Sequence, residues 1–144
     1  ALYLLAQRSP QKGIVFAGAR GHLDILCEDE FRNLGWEVRL STEDGSYGEK
    51  GLVTQPLRVE LERTHARRKL FACGPTPMLE AVARLAQEFS LPAEVSLDEH
   101  LCCGVGACLT CVVPIKTSEG VEYQRACTEG PVFDASQVAW EARR

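Results

Sequence analysis

The sequence predicts an α/β protein in which a parallel-sheet domain over residues 1–97 precedes a small, mainly β domain over residues 98–144. Two observations carry this prediction. In the first part, short apolar runs alternate with helical patterns and are joined by short turns, as in parallel sheets covered by helices. In the second part the composition changes, since five of the seven cysteines fall between residues 102 and 127. Hydrophobic residues make up 45% of the chain, enough for a buried core.

The charge balance excludes several classes of protein. Sixteen Lys and Arg against twenty Asp and Glu give a net charge of −4, which is unlike the broad basic face of a nucleic-acid binder. No apolar run approaches the ~20 residues that span a bilayer, and residues 1–8 lack the pattern of a secretory signal. We therefore expect a soluble, cytoplasmic protein with neither nucleic-acid nor membrane partners. The missing initiator Met indicates a fragment of a longer protein.

The elements of the first part follow from periodicity. Residues 1–8 are typical of a helix end, and residues 14–17 form an apolar run typical of a buried strand. Apolar residues at helical spacing, Cys27 among them, predict a helix over 22–34 that is capped by Gly35. Residues 36–40 read as a strand.

The later elements are of uneven clarity. A helix over 52–66 is the expectation, although Pro56 intrudes and residues 57–61 alternate like a strand. Residues 69–72 and 93–97 are strand candidates. Between them, residues 76–89 give the clearest helix, with a buried stripe formed by Met78, Leu79, Val82, Leu85, Ala86 and Phe89.

Three turns follow strands of this predicted sheet, at residues 18–21, 42–48 and 73–78. Ligands of parallel sheets bind beyond the carboxyl ends of the strands, so these turns are candidate ligand loops. Their glycines could equally serve only to cap and turn the chain. The G-x-G-x-x-G dinucleotide fingerprint is absent.

The cysteine spacing indicates the chemistry of the second part. Cys103, Cys108 and Cys111 form C-x4-C-x2-C, and Cys127 follows, which is the plant-type [2Fe–2S] pattern. Gly104 and Gly106 suit a tight loop around such a cluster. Strands at 112–113 and 121–126, with a turn at 116–120, would return Cys127 to the loop.

Two alternatives stay open for these cysteines. Four thiolates can bind zinc, although structural zinc sites normally use paired C-x2-4-C hooks. A register that begins at Cys102 is possible, but it fits the pattern less well, so we interpret Cys102 as a packed neighbour. Cys27, on its apolar helical stripe, is expected in the core.

Two segments resemble a known family. Residues 71–78, Phe-Ala-Cys-Gly-Pro-Thr-Pro-Met, resemble the C-G-P-x-x-M motif of ferredoxin-reductase-type NAD(P) domains. Residues 95–111 and 127–133, together with Thr-Glu-Asp-Gly-Ser-Tyr-Gly at 42–48, resemble the electron-transfer subunit of NAD-linked dihydroorotate dehydrogenase. The resemblance covers essentially the whole chain. Related subunits of hydrogenases and NADPH-dependent ferredoxin reductases share the cysteine motifs.

The resemblance implies a route for electrons from a flavin-containing catalytic subunit, which oxidises dihydroorotate in pyrimidine biosynthesis, through [2Fe–2S] and FAD to NAD. It places Cys103, Cys108, Cys111 and Cys127 on the cluster. It places the nicotinamide nucleotide, NAD or NADP, near ten residues: Gly18, Ala19, Arg20, Thr42, Glu43 and Asp44 on the adenosine side, and Cys73, Gly74, Pro75 and Met78 on the nicotinamide side. No catalytic residue is predicted.

The family pattern also has parts that this chain lacks. The flavin-binding barrel, which would hold most of the FAD, and the first strand of the nucleotide domain are not in the sequence. An exposed strand edge would favour pairing with a second copy, so an oligomer is expected. A hydrogenase or NADPH:ferredoxin subunit is the alternative within the superfamily, and a zinc-stabilised interaction module is the alternative outside it.

Overall fold

The computed structural model describes residues 1–63 and 67–143. Its elements run in the order α1 (Leu2–Arg8), β1 (Ile14–Ala19), a 3-10 helix (His22–Asp24), α2 (Glu28–Asn33), β2 (Glu37–Thr42), β3 (Glu49–Lys50), α3 (Thr54–Arg63), β4 (Leu70–Cys73), α4 (Thr76–Glu88), β5 (Ala93–Ser96), β6 (Val112–Thr117), β7 (Gly120–Arg125), β8 (Val132–Asp134) and a second 3-10 helix (Trp140–Arg143). Every helix in the described ranges is too short or too polar to cross a membrane.

The described chain divides into two compact units, residues 1–66 and 67–144. The division predicted at residue 97 lies inside the second unit, where β8 pairs with β5. The predicted α/β class is confirmed, but the strands that the sequence assigns to one parallel sheet form two separate three-stranded sheets.

In the first unit, β1, β2 and β3 form a parallel sheet in that order. Val38 and Leu40 alternate along β2 onto one face, where they pack with Ala6 of α1 and Phe31 of α2. The predicted helix over 52–66 is observed as α3, with Pro56 within its first two turns; residues 64–66 lie outside the described residues.

The predicted helix over 22–34 is wrong in its first half. A 3-10 turn at His22–Asp24 is followed by extended backbone at Ile25, and α2 begins only after Cys27. Cys27 has φ +60°, a left-handed conformation that interrupts the helix. The expected core position of Cys27 is also wrong, because the residue is exposed, as are Leu23 and Leu26.

In the second unit, β4 and β5 are parallel and β8 joins β5 antiparallel. Helix α4 connects β4 to β5 and buries Leu79, Val82 and Leu85; Met78 and Phe89 of the predicted stripe are only half-buried. Strands β6 and β7 form a separate hairpin with Thr117 opposite Gly120. Between β5 and β6, residues 97–111 form an irregular loop that contains the first three predicted cluster ligands.

Candidate functional site

The loop that contains Cys103, Cys108 and Cys111 is curled by left-handed residues. Gly104 has φ +67°, Gly106 has φ +79°, and Leu109 adopts φ +57° despite its side chain. A Cβ on Gly106 would lie 3.3 Å from Cγ2 of Thr128, so glycine there allows the loop to approach the segment around Cys127. The predicted use of glycine in a tight loop is confirmed.

The hairpin returns the fourth cysteine to this loop. The β6–β7 register places Val112 opposite Arg125, and the N–H of Ala126 donates to the carbonyl oxygen of Cys111 at 2.9 Å. Cys127 therefore follows the end of β7 directly beside Cys111. The 15 residues between these two cysteines are a compact antiparallel excursion.

The four cysteines form two pairs. In the first pair, the backbone N–H of Cys108 donates to Sγ of Cys103 at 3.4 Å, and the two side chains are hydrogen-bonded. In the second pair, the hydrogen bond from Ala126 N–H to the carbonyl oxygen of Cys111 brings Cys127 beside Cys111, whose side chain acts on the pKa of Cys127. Among the described residues, no three His, Cys, Asp or Glu side chains converge as the ligands of one metal ion. A cluster with two iron atoms and four thiolates requires two thiolates at each iron, and the two pairs fit that requirement.

Hydrogen bonds tune the thiols within these pairs. The hydroxyl and N–H groups of Thr110, followed by the thiol of Cys103, lower the pKa of Cys108 to about 6. The interaction with the side chain of Cys111 raises the pKa of Cys127. The N–H of Gly106 has the opposite, smaller effect on the same pKa. Cys108 is therefore largely a thiolate at neutral pH, which is the form that binds metals.

Cys102 differs from the four paired cysteines. It is exposed to solvent, whereas Cys111 is buried and Cys103 and Cys127 are half-buried. Cys108 is exposed like Cys102, so exposure alone does not separate ligand from neighbour. The contacts between cysteines separate the proposed ligands from Cys102, because they join Cys103 to Cys108 and Cys111 to Cys127.

The first unit brings two of the predicted nucleotide loops together at the carboxyl edge of its sheet. The N–H of Glu43 donates to the carbonyl of Ala19, and the N–H of Asp44 donates to that of Arg20, both at 3.1 Å. Gly18 lies in β1 and packs against Val53, which leaves no room for a Cβ. The buried Thr42 uses its hydroxyl within the loop, where it donates to the carbonyl of Tyr47 at 2.7 Å.

Asp44 organises the outer part of this edge. Its Oδ1 accepts hydrogen bonds from the hydroxyl of Ser46 at 2.7 Å and from its N–H at 2.8 Å, and these lower the pKa of Asp44. A Cβ on Gly21 would lie 2.8 Å from Asp44 Oδ2. The ring of His22 lies 4.4 Å from that of Tyr47. Ser46 and Tyr47 belong to the predicted turn at residues 42–48, whereas His22 lies just outside the predicted turn at 18–21.

The third predicted loop lies in the second unit, where Cys73 ends β4 and Gly74 (φ +156°) turns the chain into α4. Met78 packs over this turn, since a Cβ on Gly74 would lie 2.8 Å from its Cε. A cleft of about 380 Å³ opens beside the turn, and it is lined by Cys73, Gly74, Pro75, Thr76, Leu79, Leu97, Asp98 and Arg143. Sequence reasoning missed Asp98 and Arg143, which periodicity does not mark.

Comparison with known proteins bears on both parts of the chain. Residues 98–139 match the family model described as the iron–sulfur cluster binding domain of dihydroorotate dehydrogenase B. The chain resembles the electron transfer subunit of that enzyme. It is 40% identical over 127 residues to the dihydroorotate dehydrogenase B (NAD(+)) electron transfer subunit of Desulforamulus reducens, with 88% of this chain and 48% of the relative covered.

Two other comparisons agree with this resemblance. The corresponding subunit of Fusobacterium nucleatum is 37% identical, with 97% of this chain and 53% of the relative covered. A solved structure of the NADH-dependent reduced ferredoxin-NADP oxidoreductase, described for flavin-based electron bifurcation, is 29% identical with a TM-score of 0.76. The matched region covers 98% of this chain and 50% of the chain in the solved structure. The chain thus spans about half the length of the curated relatives it matches.

Proposed function

We propose that the chain is the part of an oxidoreductase subunit that holds a [2Fe–2S] cluster on Cys103, Cys108, Cys111 and Cys127. The observation that carries this proposal is the arrangement of these four cysteines as two neighbouring pairs. The match of residues 98–139 to an iron–sulfur binding domain supports it independently. When bound, such a cluster supplies one-electron transfer.

The residues around the cysteines fit this group. The N–H groups of Cys108, Thr110 and Gly106 are directed at sulfur atoms, and such hydrogen bonds set the potential of an iron–sulfur site. A single zinc ion would require all four thiolates at one centre, whereas the described cysteines are grouped as two pairs. The C-x4-C-x2-C spacing followed by Cys127 also favours two irons over one zinc.

The same proposal extends to a nicotinamide nucleotide. We assign residues 1–97 to the nucleotide-binding part and residues 98–144 to the cluster-binding part. Similarity to a structure described as an NADH-dependent oxidoreductase supports the first assignment. The adenosine side would be bordered by Gly18, Ala19, Arg20, Thr42, Glu43 and Asp44, and the nicotinamide side by Cys73, Gly74, Pro75 and Met78. The name of the relatives favours NAD over NADP.

The partners follow from the relatives' names. We propose that the protein serves a flavin-containing catalytic subunit that oxidises dihydroorotate, and that it passes the electrons to NAD. FAD would be held mainly by the portion of the relatives that this chain does not span. Within its own unit, each of β1 and β4 is paired on one side only among the described residues.

A second candidate keeps the same cofactors and changes the donor. The likeness to the reduced ferredoxin-NADP oxidoreductase favours ferredoxin in place of a dihydroorotate-oxidising partner. The two candidates differ in which reductant bleaches the loaded protein. Dihydroorotate with its catalytic subunit would do so in the first case, and reduced ferredoxin alone in the second.

The test of the cluster itself is metal and sulfide analysis of anaerobically purified protein, with a visible spectrum before and after dithionite. We expect two irons and two sulfides per chain and a visible band that bleaches on reduction. Stoichiometric zinc without iron would refute the proposal and leave residues 98–144 as a zinc-stabilised module.

A further inference from the structure

Arg125 lies beside the second cysteine pair. It is the last residue of β7 and is opposite Val112, which directly follows Cys111; Cys127 comes two residues later. The hairpin register therefore fixes the backbone of Arg125 between two of the proposed ligands. Its position depends on strand pairing rather than on a flexible loop.

The side chain of Arg125 is held between a carboxylate and the cysteine loop. Its Nε donates to both oxygens of Glu129, at 3.1 and 3.0 Å, and its Nη2 also contacts that carboxylate. Its Nη1 reaches in another direction, to the carbonyl oxygen of Gly106 at 3.5 Å. The guanidinium thus lies between Glu129 and the loop.

The charges of this pair are permanent at neutral pH. The hydrogen bond to Glu129 and the charge of that carboxylate raise the pKa of Arg125. The side chain and N–H of Arg125 lower the pKa of Glu129 to about 2. The contact of Arg125 Nη1 with the carbonyl oxygen of Gly106 places the positive charge beside the loop that contains Cys103 and Cys108.

We propose that Arg125, fixed by Glu129, is a positioning residue that raises the reduction potential of the cluster. The inference rests on the proposed function, because it requires the cluster to be bound by the four cysteines. A cluster on four thiolates becomes more negative when it accepts an electron, so a fixed cation beside two of them stabilises the reduced form. Glu129 holds the cation in place and offsets part of its field.

Four variants of the iron-loaded protein test this proposal: Arg125→Gln, Arg125→Lys, Glu129→Gln and the control Arg84→Gln. Arg84 forms the same i,i+4 ion pair with Glu80, but on α4, which packs against β4 and β5. Iron per chain and the midpoint potential, from a redox titration followed by electron paramagnetic resonance, are measured for each. The potential is a readout that a purely structural role would not move while iron is retained.

For Arg125→Gln we expect an equilibrium constant for reduction about tenfold smaller, which is a potential lower by about 59 mV. Arg125→Lys keeps the positive charge, so its midpoint potential should stay closer to that of the unsubstituted protein. Glu129→Gln should raise the potential, and Arg84→Gln should leave it unchanged.

An Arg125→Gln protein with two irons and an unchanged potential would overturn the inference. If that variant loses its iron, Glu129→Gln decides: a raised potential supports the inference, and an unchanged or lowered one overturns it. An unsubstituted protein that binds no iron would instead refute the proposed function, and the two failures are therefore distinguishable.

Discussion

The backbone N–H of Cys108 donates a hydrogen bond to Sγ of Cys103 at 3.4 Å, across the four residues that separate them in the sequence. This contact closes the loop on itself at Gly104 and Gly106, both of which have positive φ. The first two candidate ligands are thereby neighbours through local geometry alone. The second pair is different, because Cys111 and Cys127 meet through the β6–β7 hairpin.

Replacement of the cysteines one at a time by Ser tests the ligand set. The variants at Cys103, Cys108, Cys111 and Cys127 should each lose most of their iron, because serine removes one of the two thiolates at an iron. Cys102→Ser is the matched control and should keep two irons per chain, since the contacts that pair the cysteines do not include it. Iron loss in the Cys102 variant alone would show that the ligand register is wrong.

Thr110→Val should raise the pKa of Cys108, because it removes the hydroxyl that contributes most to the lowering to about 6. In metal-free protein, the pH midpoint of Cys108 alkylation would move upward. Since the folded pKa is depressed from 9.0, the thiolate's contribution to stability is complete above pH 9 and is lost as the pH falls through about 6. Thr110→Ser keeps the hydroxyl and should leave the midpoint near 6.

Gly106→Ala and Gly104→Ala form a matched pair in the cluster loop. Both impose a positive φ on an L-residue, which costs about 1 kcal/mol. At Gly106 the added Cβ also approaches Thr128, at 3.3 Å, whereas at Gly104 no atom of the described residues beyond its chain neighbours lies within 4 Å. Iron retention and the free energy of unfolding should therefore fall more for Gly106→Ala. Equal losses would mean that close approach of the loop is unimportant.

The first unit offers a test of its own packing. Arg39 of β2 forms ion pairs with Glu60 of α3, at 2.8 Å, and with Glu37, at 2.7 Å. The two carboxylates differ in burial, because the side chain of Glu60 is 9% exposed and that of Glu37 is 55% exposed. Glu60→Ala should lower the free energy of unfolding by about 1.5–3 kcal/mol, because it removes a charge-assisted hydrogen bond whose carboxylate is shielded from water. Glu37→Ala should cost less than about 1 kcal/mol. Chemical denaturation of the two variants measures the difference.

Periodicity predicted the elements that repeat a pattern over several residues. The apolar runs around residues 14–17 and 69–72 are β1 and β4, and the helical stripe that begins at Thr76 is α4. The prediction of one helix over 22–34 was wrong at Cys27, because the left-handed backbone of that residue is not visible in the spacing of apolar residues. Strands β3 and β8 have two and three residues and are too short for a period to show.

The site divides in the same way. Spacing singled out the four cysteines as candidate ligands, because ligands on a tight loop recur at short fixed intervals. It did not identify Thr110, Arg125 or Glu129, whose contacts depend on how the loop and hairpin fold. The one available signal was position, since Arg125 precedes and Glu129 follows Cys127 by two residues. The assignments of the four ligands and of the nucleotide loops remain predictions.

The β6–β7 hairpin has a consequence for engineering. Cys111 and Cys127 flank its open end, whereas its tip, at residues 118–119, is at the far end of six paired positions. Adding one residue to each strand moves the tip outward and leaves the base register unchanged. The number of residues between Cys111 and Cys127 can therefore increase in steps of two without a change at the base. A fluorescent label or short tag at the tip would be tolerated for the same reason.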